Sequence, residues 1–303
     1  MKIILTGGGS GGHFYPLVAI AEELNALARE EKILDLKLYY MAETPYDERM
    51  LFENQMTFRK IYAGKTRRYF SLRNISDLFR TALGFAKAII EIFEIFPDVV
   101  VGKGGYVSFP PLLAARFFGI PVVIHESDAV PGRVNRWAAK FAKKIAISYP
   151  ETAEFFPKEK IALTGNPIRK NVQSPAESGA VEFLNLEPTI PVILFLGGSQ
   201  GSQAINDALI GALPTLVEDY QIIHQTGRAN FKEMQNTAEV VLLDNPNKSR
   251  YKSFDYLKDI AMRMSAGAAS LVISRAGSNS IAEIALWGKP SIIIPIPEAV
   301  SHD

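Results

Sequence analysis

His13 closes a run of small residues, Gly7-Gly8-Gly9-Ser10-Gly11-Gly12, that follows the apolar stretch Lys2–Thr6 with no spacer. An imidazole titrates at about 6.5 when unperturbed, so it can take a proton from a hydroxyl near neutral pH. Glycines let backbone approach a ligand closely, because they lack a Cβ and accept positive φ. Apolar residues then recur at Leu17, Ile20, Ala21, Leu24, Leu27 and Ala28, a helical period. The unpaired N–H groups of such a helix's first turn favour an anion or polar ligand. A second run, Gly197-Gly198-Ser199-Gln200-Gly201-Ser202, follows the apolar stretch 191–196 and precedes helical spacing at Ile205, Leu209, Leu213 and Leu216. Either run alone fits a tight turn whose glycines serve close packing. Two in like surroundings point to a ligand where parallel strands present their carboxyl ends.

The elements that must position these residues alternate along the chain. Strands are predicted over Lys37–Ala42, Phe58–Tyr62, Asp98–Val101, Pro121–His125, Lys144–Ser148 and Lys160–Leu163, with amphipathic stretches such as Pro131–Phe141 between them. Val99-Val100-Val101 and Val122-Val123-Ile124 are apolar on both faces, as in a parallel sheet covered by helices. Thr164-Gly165-Asn166-Pro167 marks a break, and the pattern restarts. Further strands are predicted over Gln221–His224, Val240–Leu243, Leu271–Ser274 and Ser291–Ile294. This is a doubly wound α/β pattern repeated twice. At 303 residues, two domains are expected.

Composition removes several function classes. A net charge of +1 gives no global basic field, so nucleic acid is not an expected partner. The absence of cysteine removes disulfide and thiolate chemistry. The most apolar region, Phe85 to Phe96, is broken by Lys87, Glu91 and Glu94, which argues against a spanning segment. No G-x-x-x-x-G-K-[ST] motif offers P-loop phosphoryl transfer, and no G-x-S-x-G elbow offers hydrolase chemistry. His13, His125, His224 and His302 lack metal-ligand spacing.

Six segments occur in a telling order: Gly8–His13, Gly102-Lys103-Gly104-Gly105-Tyr106-Val107-Ser108, His125-Glu126, Gly165-Asn166-Pro167-Ile168-Arg169, Gly197–Gly201 and Arg275-Ala276-Gly277-Ser278. Together they resemble the MurG family of bacterial N-acetylglucosaminyltransferases, over essentially the whole chain. The resemblance implies an α/β protein of GT-B fold, two Rossmann-like domains with parallel sheets facing a cleft. Residues 1–166 would form the acceptor and membrane-side domain, and residues 167–303 the UDP-sugar-binding domain. The implied reaction moves N-acetylglucosamine from UDP-N-acetylglucosamine to undecaprenyl-linked muramyl-pentapeptide (lipid I), giving lipid II with inversion, without metal or cofactor. It would run at the cytoplasmic face of the cell membrane, with the enzyme bound peripherally. Alternatives are a GT-B glycosyltransferase with another lipid acceptor, a UDP-sugar epimerase, or a binding protein without chemistry.

The family's roles carry over residue by residue. Ser199 and nearby backbone N–H groups would meet the donor diphosphate, which suits a leaving group that gains charge. Ser278, Asn279, Ser280, Ile281, Ala282 and Glu283 would form the other wall, with Glu283 accepting from the ribose hydroxyls. Backbone at Leu257 would meet the uracil edge, and Arg169 the nucleotide. Ser10, Gly11 and Gly12 would close over the donor. Inversion in one displacement needs a base, for which His13 leads and Glu126, with His125, follows. The family has an asparagine next to the position occupied by Asp128. A carboxylate cannot donate as an amide does, so this contact would differ.

A lipid-linked acceptor calls for a membrane-facing surface. Over residues 72–96 the period places Ile75, Phe79, Ala82, Ala86, Ile89 and Phe93 on one stripe, expected in the core, with Leu72, Leu83 and Ile90 at its edge. Arg73, Arg80 and Lys87 lie beside that edge, with Arg67 and Arg68 just upstream. This basic edge is the expected contact with anionic phospholipid. The chain stops at Asp303, where family members continue with donor-sugar residues, so an incomplete second domain is expected.

Overall fold

The computed structural model describes residues 1–65, 73–198 and 201–296. It contains two compact units, one ending at Arg169 and the next beginning at Lys170.

The first unit is built on β1 (Lys2–Thr6), β2 (Lys37–Ala42), β3 (Met56–Lys60), β4 (Val99–Gly102), β5 (Val122–Glu126), β6 (Lys144–Ile147) and β7 (Ile161–Leu163). Its helices are α1 (Gly11–Glu30), α2 (Glu48–Glu53), α3 (Arg73–Ile95), α4 (Phe109–Phe117) and α5 (Arg133–Ala138). All strand pairs are parallel, in the order β3-β2-β1-β4-β5-β6-β7. The two-sided apolar runs explain this: Ile3, Ile4 and Leu5 are buried at the sheet's centre, between Phe14 and Leu17 of α1 and Ala88 and Ile92 of α3 among others. The order reverses between β1 and β4, which opens a crevice beyond their carboxyl ends.

The second unit comprises α6 (Lys170–Gln173), α7 (Ala180–Phe183), β8 (Val192–Leu196), α8 (Gln203–Asp219), β9 (Gln221–Gln225), α9 (Phe231–Val241), β10 (Tyr251–Phe254), α10 (Asp259–Ala268), β11 (Ala269–Arg275), α11 (Ser278–Trp287) and β12 (Ser291–Ile294). Its sheet is parallel in the order β10-β9-β8-β11-β12, reversing between β8 and β11. Every residue of β8 is buried. Ile193 and Phe195 pack on Leu209 and Leu213 of α8, while Leu194 joins Ile284 and Trp287 of α11 on the opposite face. The Trp287 indole N–H donates to the Val172 carbonyl at 2.7 Å and ties α11 to α6.

Two expectations are corrected. Val240–Leu243 is not a strand: it falls at the end of α9, where Met234, Ala238 and Leu242 are buried at four-residue spacing. That period outweighs the β preference of the short valine-leucine run. The strand in its place is β10, at the sheet edge. The helix α3 is also turned over. Ile75, Phe79, Leu83 and Phe93 are 57–68% exposed, whereas Asp77, Gly84, Ala88 and Ile92 face inward. Packing distance decides this. A Cβ at Gly84 would collide with the Tyr62 carbonyl, and Gly64 donates its N–H to the Thr81 hydroxyl at 3.1 Å. Small residues let the helix lie against the segment after β3, and the bulky stripe is left outside. Among the described residues no helix is long and apolar enough to cross a membrane.

Candidate active site

In the first unit three loops leave the carboxyl ends of β1, β4 and β5. The first two touch: a Cβ at Gly7 would lie 2.9 Å from Lys103 Cβ, and Lys103 N–H donates to the Thr6 carbonyl at 2.9 Å. Ser10 stands at the N-cap of α1 in extended backbone, and its hydroxyl lies 3.0 Å from His13 Nδ1. Gly11 and Gly12 supply the helix's first N–H groups. The other ring nitrogen faces Gly105, whose Cβ would sit 3.2 Å from His13 Nε2 and whose φ is +75°. Only glycine suits both demands. Burial, then the nearby Lys103 ammonium, pushes the His13 imidazole down to about 4, so it is neutral near pH 7.

Glu126 is buried, and both of its oxygens accept hydrogen bonds. Its oxygens accept from the Asp128 and Gly132 N–H groups at 3.1 and 3.0 Å and from Asn135 Nδ2 at 2.9 Å. Such a carboxylate pins the loop after β5, the work of a positioning group. Asp128 is held in that loop, its carbonyl accepting from the Thr152 hydroxyl at 3.0 Å. His125 is buried, and its Nε2 donates to the Gly165 carbonyl at 3.0 Å. Burial, and Lys103 after it, lowers its pKa to about 3. Arg169 stacks its guanidinium 4.1 Å from the centre of the Tyr15 ring, on α1 of the same unit.

In the second unit the corresponding loop follows β8. Gly198 and Gly201 have φ of +82° and +80°, and a Cβ at Gly201 would collide with the Thr226 carbonyl oxygen. Ser199 lies outside the described residues. Ser202 caps α8 through its hydroxyl, which accepts from Ile205 N–H at 3.4 Å and from Arg275 Nε at 2.7 Å. Gln225 joins two loops, donating to the Gly198 carbonyl at 3.1 Å and accepting from Leu257 N–H at 2.9 Å. Leu257 is buried, and its N–H is therefore already engaged. Ser278, Asn279, Ser280, Ile281, Ala282 and Glu283 occupy the first turns of α11, all half-buried, after an N-cap at Gly277.

Within the first unit the structure thus gathers Ser10, Gly11, Gly12 and His13 with the Glu126–Asp128 loop, at one sheet edge. Within the second it brings Gly198 together with Leu257 through Gln225, and Ser202 with the end of β11 through Arg275. Sequence reasoning missed Lys103, Ser127, Asn135 and Gln225 as working side chains. Lys103 stood inside a glycine motif, which was the available signal. Gln225 had none beyond its place at a strand end.

Two parallel-sheet units, each with a glycine-bordered helix start at its strand-order reversal, define a chain of two Rossmann-like domains. The profile of the glycosyltransferase family 28 N-terminal domain matches residues 3–147, and that of the family 28 C-terminal domain residues 192–303. The UDP-N-acetylglucosamine–N-acetylmuramyl-(pentapeptide) pyrophosphoryl-undecaprenol N-acetylglucosamine transferase of Treponema denticola is 36% identical over 313 aligned positions, covering 99% of this chain and 78% of that protein. The crystal structure of Acinetobacter baumannii MurG superposes with a TM-score of 0.68 at 27% identity, over 98% of this chain and 80% of that one. The chain belongs to the MurG family, within glycosyltransferase family 28. A UDP co-structure of S. aureus MnaA matches with a TM-score of 0.66 at 15% identity, over 96% of this chain and 79% of that one, a likeness of fold alone.

Proposed function

We infer that this protein is the inverting transferase that moves N-acetylglucosamine from UDP-N-acetylglucosamine to lipid I, yielding lipid II for peptidoglycan. The observation that carries this reading is the match of both units to family 28 domains, with 36% identity to a named transferase across 99% of the chain. Residues 1–166 serve the acceptor and residues 167–303 the donor. In the displacement, the acceptor hydroxyl oxygen attacks the anomeric carbon, the bond from that carbon to the UDP oxygen breaks, and the hydroxyl proton leaves. His13 takes this proton. With its Nδ1–H donating to Ser10, Nε2 carries the free pair. Burial favours this neutral form. Negative charge developing on UDP is met by N–H groups in the turn after β8 and at the start of α8, which Ser202 caps. Glu283 and the first turns of α11 receive the nucleoside. Incubation with labelled UDP-N-acetylglucosamine and a lipid I analogue tests the reading: lipid-linked disaccharide is expected, and epimerised or unchanged donor alone would defeat it.

The same reading includes an anionic membrane surface as a partner, met by the outer face of α3. Ile75, Leu78, Phe79, Leu83, Ile90 and Phe93 project from that helix, with Phe96 and Phe117 close by in the fold. This is an apolar stripe of the kind that lies in a bilayer interface. Arg80 and Lys87 flank it but are paired, with Glu43 at 3.0 Å and Glu91 at 3.6 Å. Apolar contact therefore outweighs charge in the attachment, a reversal of the sequence-based emphasis. Arg67, Arg68 and Leu72 lie outside the described residues.

A further inference from the structure

Glu43 follows β2 and stands where three elements of the first unit meet. Its Oε1 accepts from the Ala63 N–H at 3.3 Å, on the segment after β3, and from Arg80 Nη2 at 3.0 Å, on α3. Its Oε2 accepts from the Tyr106 hydroxyl at 2.9 Å, in the loop between β4 and α4. The pair with Arg80 is partly exposed and by itself would add little to stability. The bond to Tyr106 is of another kind, because of what that ring touches.

Tyr106 rests on the glycine run that leads to His13. A Cβ at Gly9, where φ is +92°, would sit 3.2 Å from the Tyr106 Cε1, so glycine alone lets the ring lie on that backbone. Val107 lies against Gly8, and a Cβ at Gly105 would meet the Gly8 carbonyl at 3.0 Å and His13 Nε2 at 3.2 Å. From β2 the buried Tyr40 hydroxyl donates to the Gly7 carbonyl at 2.9 Å. Glycines have no side chains with which to interlock, so the spacing of the two loops depends on the residues that press them together. Burial, and the bond to Glu43 after it, raise the Tyr106 phenol to about 12, so it remains a donor at neutral pH. The far end of the carboxylate is fixed as well: the Arg80 arm comes from α3, and there the Thr81 hydroxyl accepts from Gly64 N–H.

We propose that Glu43 is a positioning residue of the transfer: by holding Tyr106 against Gly9 it sets the loop that carries Ser10 and His13 at its working distance from the loop after β4. The inference rests on the reaction and the base given under the proposed function. Glu43 acts only through Tyr106. A displacement of about 1 Å at a reacting group is enough to cost about a hundredfold in rate.

The test compares Glu43→Ala, Glu43→Gln, Tyr106→Phe and the double variant Glu43→Ala with Tyr106→Phe, each in the full chain, with a lipid I analogue and UDP-N-acetylglucosamine. Glu43→Ala and Tyr106→Phe should each lower kcat by about ten- to a hundredfold, while the dissociation constant of UDP stays native. The double variant should be no slower than the worse single one, since both remove the same bond. Glu43→Gln should recover most of the loss: its amide oxygen still accepts from Ala63 and Arg80, and its N–H₂ donates to the Tyr106 oxygen. Amide exchange at residues 7–13 should quicken in the two single variants, with the second unit unchanged. Losses that multiply in the double variant, or a native kcat in Tyr106→Phe, overturn the proposal, and the latter decides it even if Glu43→Ala does not fold. Weaker UDP binding with faster exchange across both units would reduce Glu43 to a stability role and end the proposal too. If the native chain forms no lipid-linked disaccharide, the proposed function falls, and exchange at residues 7–13 still decides whether Glu43 holds the loop.

Discussion

Replacing Phe79, Leu83 and Ile90 together with serine separates a membrane-facing α3 from a buried one. The three side chains are 68%, 64% and 58% exposed in the folded chain. Full burial of such a side chain is worth about 1.5–3 kcal/mol, so the exposed share leaves roughly 1–2 kcal/mol each for insertion into lipid. The triple variant should then lose about 3–6 kcal/mol of membrane affinity, at least a hundredfold in the partition constant. Folding should barely change, since substitutions at exposed positions usually stay within about 0.5 kcal/mol each. Co-sedimentation with phosphatidylglycerol vesicles gives the first quantity and urea unfolding the second. A native partition constant in the variant refutes the docking face. A large fall in the urea midpoint would show instead that the stripe is core. Glutamate at Arg80 and Lys87 should have the smaller effect, because Glu43 and Glu91 already compensate those charges.

Three further outcomes follow from the geometry. His125 and His224, almost wholly buried, are lowered to about 3 and about 4. The unfolded chain therefore binds more protons below about pH 6.5, and stability should fall as pH drops from there toward 4, by up to about 1.4 kcal/mol per pH unit for each group. Urea midpoints at pH 7, 6 and 5 check the slope, and His224→Gln should flatten it. Gly201→Ala forces a side chain onto the Thr226 carbonyl at positive φ, a cost of about 1–3 kcal/mol or more. It should weaken UDP binding in calorimetry, and retained affinity would remove that turn from the donor site. Glu126→Gln turns one of the two accepting oxygens into an N–H₂ that faces one or two of the three N–H donors, and should cost about 1–3 kcal/mol in thermal unfolding. Native stability with abolished turnover would return Glu126 to the role of base.

Much of the fold was legible because parallel strands covered on both faces need uninterrupted apolar runs. Val99–Val101 and the stretch 191–196 could be little else, and the structure displaces them by a residue or so. Ser291–Ile294 was placed without error. The edge strand Tyr251–Phe254 escaped because Lys252 and Ser253 break the apolar run and only one neighbour pairs with it. Helix α3 misled for the opposite reason. Periodicity finds an apolar face but does not say which face the neighbouring backbone can approach, and Gly84 and Ala88 decided that. The glycine turns and His13 were visible as types in a spacing. The lock around Glu126, assembled from Asp128, Gly132 and Asn135, depends on how one loop folds back, and Lys103 reaches Ser127 across two strand ends. Such partners are set by topology, not by local pattern.

An interior strand of the first sheet, β1, is made well before the strand that covers its other side. Ile3 has Leu38 on one side soon enough, but its other neighbour is Val99. Nearly a hundred residues must emerge before that side is covered, and α3, with its greasy outer face, emerges just before the strand that completes the pairing. Parallel sheets with such distant partners gather slowly and leave sticky surface on show meanwhile. In a crowded cell this newborn chain is a natural client for a chaperone, and in an overexpressing one a natural source of inclusion bodies.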